Sequence, residues 1–257
     1  MSLLLRTTAL MLLIFSRGPA FAAMPADTSA PENRAESQNE VSSKLFRHSL
    51  SGLYGIQTTN AAITQPYDDF DILYTKAHQA QMELENLCKS TAMLTGTEPH
   101  FAGVKSKQRA QEKIRAEFAG DNTRITDLAR ATIVADDVPS LVKAYEILNR
   151  EATVVKVKNR FKKPAPSGYR DLNLLVRLPK TNIVAEVQLH LANIAQVKSG
   201  PEHTIYEQVQ KIERTALLEN RELTELELTK IDRIRSRSRD LYQQAWQPYI
   251  TTQLQAA

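Results

Sequence analysis

Two apolar-rich runs with a short polar turn between them dominate the central hydrophobic pattern of the chain. The runs cover 169–178 and 183–190, and a Pro/Asn-containing turn separates them. This arrangement predicts a β-hairpin. In the second run Glu186, Gln188 and His190 alternate with apolar residues and therefore share one face of the strand. Polar groups on a largely buried strand need partners, so this face is the candidate site.

Upstream of the hairpin, the period of the apolar pattern switches repeatedly between that of a helix and that of a strand. The predicted elements are a long helix over 68–94, a strand over 101–104, a helix over 107–118, a strand over 129–135, a helix over 139–150 and a strand over 153–158. Helical periodicity returns over 201–244. The middle of the chain is thus β-α-β-α-β-β-β, which predicts an α/β or α+β fold with a mixed sheet.

The first 23 residues have the pattern of a secretory signal peptide. Arg6 precedes the apolar run ALMLLIF, and the small residues of AFAA follow at the spacing of a cleavage site. The apolar run is too short to span a bilayer. We therefore expect export to the periplasm or beyond, without stable membrane insertion after cleavage. An N-terminal helix that stays attached is the alternative.

Composition sets the remaining boundaries. Residues rich in Ser, Glu, Asn and Pro follow the signal peptide and predict a disordered linker. The predicted organisation is a signal peptide over 1–23, a linker over 24–45, a helical N-terminal extension over 46–98, a central domain over 99–210 and C-terminal helices over 211–257.

Charge and cysteine content narrow the functional classes. The whole chain has a net charge of +4, but the first 23 residues carry two arginines and no acid, so their removal leaves +2. This balance gives no argument for nucleic-acid binding. The single cysteine, Cys88, excludes an intramolecular disulfide. Cys88 lies in a predicted helix, and we expect a buried small side chain rather than a reactive thiol.

Several polar residues suit phosphate chemistry. Lys105, Arg109 and Lys113 recur every four residues and would share one helix face, which is either solvated or a clamp for a polyphosphate. Asp127 stands at the entry to a predicted strand, where a lone acid is usually a cap. Paired in space with Glu186, it would form a two-carboxylate site for Mg²⁺, because Mg²⁺ takes one or two carboxylates plus substrate phosphates.

A stiff basic loop precedes the hairpin. Lys162 and Lys163 stand beside Pro164 and Pro166, and Tyr169 follows. A tyrosine at this point either stacks on a nucleobase or belongs to the core.

Five segments between about residues 100 and 210 resemble, in order, motifs of the nucleotide-pyrophosphokinase domain of the RelA/SpoT family, the alarmone synthetases. The segments are VKSKQRAQEK, DLARATIV, KKP with GYRDLN, EVQLH and EHTIY. They resemble the family patterns R-x-K-x-x-x-S-x-x-x-K, D-L-A-G-I-R-I, P-K-x-x-G-Y-x-S-L-H, E-I-Q-I-R-T and E-H-x-x-Y. Each match alone is weak, whereas five in the right order and near the right spacing are strong.

At five positions the chain departs from these patterns. The departures are Gly103 for arginine, Arg109 for serine, Thr132 for arginine, Asn173 for histidine and His190 for arginine. They spare both expected carboxylates and alter nucleotide contacts, so the acceptor stays open. The pattern resembles divergent toxin-type members of the family.

The resemblance implies a nucleotidyltransferase-like fold and pyrophosphate transfer from ATP to a purine nucleotide. The implied catalytic and Mg²⁺-binding residues are Asp127 and Glu186, with Glu186 taking the proton of the ribose 3′-hydroxyl. The implied ATP- and phosphate-binding residues are Lys105, Arg109, Lys113, Arg130, Lys162 and Lys163. The implied acceptor-binding residues are Tyr169, Arg170, Asn173, Gln188, His190 and His203, although His203 is equally well explained as a helix cap or packing residue.

An exported synthetase would find little ATP outside a cell. The sequence therefore favours an effector or toxin that makes (p)ppGpp or (p)ppApp inside a target cell, with an immunity protein as partner. One alternative is a pyrophosphokinase for the 3′ end of tRNA. Another is a catalytically degenerate nucleotide- or RNA-binding module, and a purely structural periplasmic protein would leave the Glu/Gln/His face unexplained.

Overall fold

The computed structural model describes residues 42–59 and 61–251. The predicted signal peptide and most of the predicted linker lie outside the described residues, so both stay predictions. The chain divides into two units, Met1–Ser43 and Lys44–Ala257, and the second unit holds the elements below. No described helix combines the length and the apolar character needed to cross a bilayer.

The second unit contains seven labelled helices and five strands among its described residues. The helices are α1 (Leu50–Gly55), α2 (Phe70–Thr95), α3 (Lys107–Phe118), α4 (Val138–Glu151), α5 (Ala192–Ser199), α6 (Pro201–Leu218) and α7 (Glu225–Thr251). The strands are β1 (Glu98–Phe101), β2 (Arg130–Ala135), β3 (Thr153–Asn159), β4 (Leu172–Arg177) and β5 (Val184–Leu191). A short 3₁₀ turn, Asn122–Arg124, follows α3.

The five strands form one mixed sheet in the order β1-β2-β5-β4-β3. Strands β2 and β5 are parallel, and the other neighbouring pairs are antiparallel. The predicted element order and the predicted α+β class are confirmed.

One face of the sheet is apolar and forms the core. The side chains of Ala131, Ile133, Val187 and Leu189 alternate along β2 and β5 and are at most 4% exposed. Helices α2 and α4 pack on these strands and on each other. Burial of this apolar area is the main stabilising contribution to the fold. Since side chains alternate along a strand, the same packing turns the polar positions of β2 and β5 to the opposite face.

Local capping explains where the two core helices begin. Asp69 accepts a hydrogen bond from the Ile72 backbone N–H at the start of α2. Asp137 accepts one from the Ser140 N–H at the start of α4. Cys88 on α2 is fully buried, which confirms the prediction for this residue, and burial raises the pKa of its thiol to about 12.

Some predicted boundaries were wrong. Strand β1 ends at Phe101, where the prediction began it, and β4 starts at Leu172 rather than at residue 169. The helix α5 was not predicted. The predicted helical stretch over 201–244 is two helices, because residues 219–224 form a turn in which Asn220 has a positive φ.

The last helix, α7, packs against the loop that precedes β4. A Cβ built on Gly168 would lie 3.0 Å from Cα of Arg239, and Gly168 has a φ of +84°. Tyr242 and Trp246 of α7 are at most 3% exposed and belong to the main core. The absence of a side chain at residue 168 therefore lets α7 approach the loop.

We predict that Gly168→Ala destabilises the protein more than Gly96→Ala does. Both glycines have a positive φ, so each substitution costs about 1–2 kcal/mol of strain. A Cβ on residue 96 meets nothing within 4 Å, whereas residue 168 adds an overpacking cost of about 1–3 kcal/mol. Urea unfolding measures both variants, and equal destabilisation would contradict the close packing of α7 on the loop.

Candidate active site

Strand register assembles a polar surface on the face of the sheet opposite α2 and α4. Arg130 of β2 lies beside Glu186 of β5, and Thr132 lies beside Gln188. Asn173 of β4 flanks Gln188 from the other side. The predicted face of Glu186 and Gln188 is therefore extended over three strands.

Glu186 is held by an amide donor from the neighbouring strand. The side-chain N–H of Asn173 donates to Oε1 of Glu186 at 2.7 Å. Asn173 is 6% exposed, so its position is fixed by packing. Glu186 is half-buried, and this bond orients its carboxylate through Oε1, while a carboxylate's second oxygen can accept further hydrogen bonds. Asn173 stands where the family pattern has histidine, and it keeps a donor at this place.

Asp127 lies between two lysines. The Nζ atoms of Lys105 and Lys113 are 3.0 and 2.9 Å from its Oδ2. Burial alone would raise the pKa of Asp127, but the two ammonium groups hold it below its usual value. Burial likewise opposes the charge of Lys113, whose pKa is nevertheless raised by Asp127 and, more weakly, by Glu186. Lys113 thus lies in the field of both predicted catalytic carboxylates.

Asp127 and Glu186 are the residues of the site that could hold a divalent cation. Oδ1 of Asp127 is buried and has no hydrogen-bond partner among the described residues. Hard oxygen donors of this kind suit Mg²⁺. The described residues contain no group of three or more His, Cys, Asp or Glu side chains placed to hold a metal. A cation held by Asp127 and Glu186 would therefore need further ligands, such as substrate phosphates.

Two cavities meet at the polar face. The first has a volume of about 350 Å³, and the second about 440 Å³. Three residues, Glu186, Gln188 and Lys198, line both. The first cavity also contacts Arg130 and Thr132, together with His100, Phe101, Ala102 and Ala131. The second also contacts Arg160, Ala165, Ser167, Tyr169, Asn173, Glu202, His203, Tyr206 and Tyr242.

Tyr169 is anchored through its hydroxyl. It donates to Oδ2 of Asp171 at 2.8 Å and also contacts Nε2 of His190. Arg160 donates to the other oxygen of Asp171 at 2.6 Å and lies 5.6 Å from the centre of the Tyr169 ring. Since the tyrosine proton points to Asp171, His190 donates from Nε2. Tyr169 is therefore both a wall of the second cavity and part of a buried hydrogen-bond network.

Burial shifts the pKa values of the ionisable groups in this network. Asp171 is fully buried, and burial raises its pKa, although Arg160 and the Tyr169 hydroxyl oppose that shift. Burial, with Lys198 and Arg160 nearby, lowers the pKa of His190 well below its usual value. His190 is therefore neutral, and its Nδ1 has no hydrogen-bond partner among the described residues.

Not every predicted site residue reaches these cavities. Arg109, Lys162 and Lys163 are exposed and line neither of them. The ion-paired group of Asp127, Lys105 and Lys113 also lines neither cavity. Arg170 donates to the backbone oxygen of Phe161 and lies over the Trp246 ring at 5.1 Å. His190 lies behind Tyr169 and lines neither cavity. These residues therefore lie outside the two cavities that Glu186 lines, and the roles that the resemblance implies for them stay predictions.

The remaining predicted acceptor residue, His203, does line the second cavity. Its side chain is 64% exposed and its Nε2 is 3.3 Å from Oε1 of Glu207, one helical turn along α6. The residue thus combines a place in the cavity wall with a solvated surface.

Sequence reasoning missed two cations of the site. Arg160 begins the basic loop that was predicted, but only the following lysines were selected. Lys198 lies on the unpredicted helix α5, in a stretch without a clear apolar period. For Arg160 the adjoining loop was a usable signal, whereas nothing in the local sequence indicated Lys198.

Comparisons with known proteins agree with this architecture. No protein-family model matches the chain. The (p)ppApp synthetase toxin Tas1 of Pseudomonas aeruginosa (strain UCBPP-PA14) is 32% identical over 131 residues, which are 51% of this chain. The match spans 29% of the length of that relative.

The chain is also similar to solved structures. The crystal structure of the complex between the Type VI effector Tas1 and its immunity protein matches with a TM-score of 0.52 and 25% identity, over 69% of this chain and 96% of that one. Small alarmone synthetase 1 of Bacillus subtilis matches with a TM-score of 0.49 and 18% identity, over 74% of this chain and all of that one. The predicted resemblance is confirmed: the chain is similar in sequence to a (p)ppApp synthetase toxin and similar in fold to the solved structure of the effector Tas1.

Proposed function

We propose that this chain is a pyrophosphokinase that transfers pyrophosphate from ATP to the ribose 3′-hydroxyl of a purine nucleotide. The observation that carries the proposal is the meeting of two cavities at one carboxylate, Glu186. A transfer reaction needs two substrates side by side with a proton acceptor between them. The first cavity, which contains Arg130, suits ATP, and the second, which contains Tyr169, suits the acceptor.

The proposed chemistry needs little covalent work from the protein. Glu186 accepts the proton of the 3′-hydroxyl, and the oxygen forms a bond to the β-phosphorus of ATP. The bond between that phosphorus and the oxygen bridging to the α-phosphorus breaks, and AMP leaves with the bridging oxygen. Asn173 keeps Glu186 aimed at the acceptor through its 2.7 Å hydrogen bond. Positioning and positive charge then supply most of the rate.

We propose Mg²⁺ as the cofactor of this reaction. When bound, Mg²⁺ would neutralise phosphate charge and bring the phosphate oxygens into line. Asp127 and Glu186 would hold it, and the buried Oδ1 of Asp127 is a ready ligand atom. Lys105 and Lys113 would then interact with the triphosphate as well as with Asp127. Their positive charges would balance the negative charge of the substrate.

The two alternative functions, a degenerate binding module and a tRNA pyrophosphokinase, have less support. A degenerate binding module would have no need for a carboxylate aligned by a buried amide at the junction of two cavities. The tRNA hypothesis receives no support from the comparisons. The likeness to Tas1, a (p)ppApp synthetase toxin, supports adenosine nucleotides as acceptors to be tested beside guanosine nucleotides.

The same likeness supports a role as an effector. Tas1 forms a complex with its immunity protein, and we propose a cognate immunity protein for this chain. Export through the predicted signal peptide would carry the protein out of the producing cell, and action inside a target cell would give it ATP.

We predict that Glu186→Gln lowers pyrophosphate transfer by about 10³-fold, because the amide cannot accept the proton in the transition state. The measurement is AMP release and acceptor modification with ATP, Mg²⁺ and each of GDP, GTP, ADP and ATP as acceptor. Glu151→Gln, an exposed position at the end of α4, is the matched control and keeps full activity. A Glu186→Gln protein as active as the control would refute the assigned base.

We predict that Asn173→Ala lowers kcat by about 10- to 100-fold, because Glu186 loses the group that orients it. Asn173→His restores a donor of the family type and recovers most of the rate. Asn149→Ala on α4 is exposed and serves as control. Steady-state kinetics measures kcat for all three variants. An Asn173→Ala enzyme with unchanged kcat would exclude the orienting role.

A further inference from the structure

Lys198 occupies a place in the site that none of the predicted residues fills. It lies on the short helix α5, and its side chain lines both cavities beside Glu186 and Gln188. Its Nζ donates to Oε1 of Gln188 at 2.7 Å and lies 5.9 Å from the centre of the Tyr169 ring. Its ammonium group is therefore at the boundary between the two proposed substrate sites.

The ammonium group is poorly compensated. Burial lowers the pKa of Lys198, Asp171 and Glu186 oppose that shift, and Arg160 and Arg130 add to it. Within the described part of the chain, the hydrogen-bond partner of Nζ is a neutral amide, and the carboxylates of Asp171 and Glu186 act on it electrostatically, without a hydrogen bond. A partly buried cation with a neutral partner is costly unless an anion binds beside it.

The position of Lys198 is notable because this chain lacks an arginine that the family motif contains. His190 stands where the family pattern E-I-Q-I-R-T has arginine, and in this structure it is neutral and lies behind Tyr169. Strand β5 therefore brings no positive side chain to the junction. Lys198, eight residues further along the chain, brings one from α5 to the same junction.

We propose that Lys198 is a catalytic residue that contacts the transferred pyrophosphate and stabilises the negative charge that develops on it. The inference rests on the proposed function. It assigns to α5 a role that the motif residues alone do not provide. The pyrophosphate group must cross from the first cavity to the second, and among the described residues Lys198 is the cation that lines both.

The test compares three variants with the wild-type enzyme. Lys198→Met removes the charge and keeps an apolar chain of similar length over Tyr169. Lys198→Arg keeps the charge. Lys211→Met, at an exposed position on α6, is the matched control. The readouts are kcat and KM for ATP and for the acceptor, together with the midpoint of thermal unfolding.

We expect Lys198→Met to lower kcat by about 10²- to 10³-fold, because the lost interaction is made to charge that grows in the transition state. KM should change by less than about threefold, since uniform binding is not what is removed. Lys198→Arg should stay within about tenfold of wild type, as a charged group remains at the junction. The unfolding midpoint of Lys198→Met should not fall below that of the control.

The outcomes separate this inference from the proposed function. If the wild-type protein transfers pyrophosphate and Lys198→Met keeps its kcat, the inference is wrong and the proposed function stands. A rise in KM alone, or a loss of kcat that Lys198→Arg shares in full, also overturns it. If the wild-type protein transfers nothing to any acceptor, the proposed function itself has failed.

Discussion

The site depends on the pairing of β2 with β5. In this parallel register Arg130 lies beside Glu186 and Thr132 beside Gln188, while the residues between them pack against α2 and α4. A slip of one residue would bury the polar side chains and expose the apolar ones. The hydrophobic core therefore fixes which side chains face the ligand, so stability and function share one constraint.

The second requirement is the balance of charge around two carboxylates. Lys105 and Lys113 hold Asp127, an amide holds Glu186, and Lys198 stands at the junction with a neutral partner. Exposed ion pairs would add little here, but these groups are partly buried and interact through a medium of lower dielectric constant. The arrangement is suited to a substrate that brings several negative charges of its own.

The periodicity of apolar residues and the order of the motifs along the chain predicted much of this architecture. The alternation of Glu186 and Gln188 identified the polar face, and the spacing of helices and strands gave the α+β class. The four-residue spacing of Lys105, Arg109 and Lys113 was less informative, because Ser106 caps α3 and leaves Lys105 in the preceding loop. Lys105 and Lys113 converge on Asp127 from two different elements, and Arg109 points to solvent.

Other parts of the site depend on tertiary contacts that leave no local signal. Tyr242 reaches the second cavity from α7, and its ring lies 5.6 Å from that of Tyr169. The anchoring of Tyr169 by Asp171 and His190 requires the loop before β4 to fold back on β5. Lys198 needs the short helix α5, whose sequence has no distinct period.

Pyrophosphate transfer is tested most directly by labelling each phosphate of ATP in turn. The wild-type protein is incubated with Mg²⁺, a purine nucleotide acceptor and ATP labelled at the α-, β- or γ-phosphate in separate reactions. We expect the β- and γ-labels to appear together on the acceptor and the α-label only in AMP, with one AMP formed for each acceptor modified. Transfer of the γ-label alone with formation of ADP, or of the α-label to the acceptor, would contradict pyrophosphate transfer.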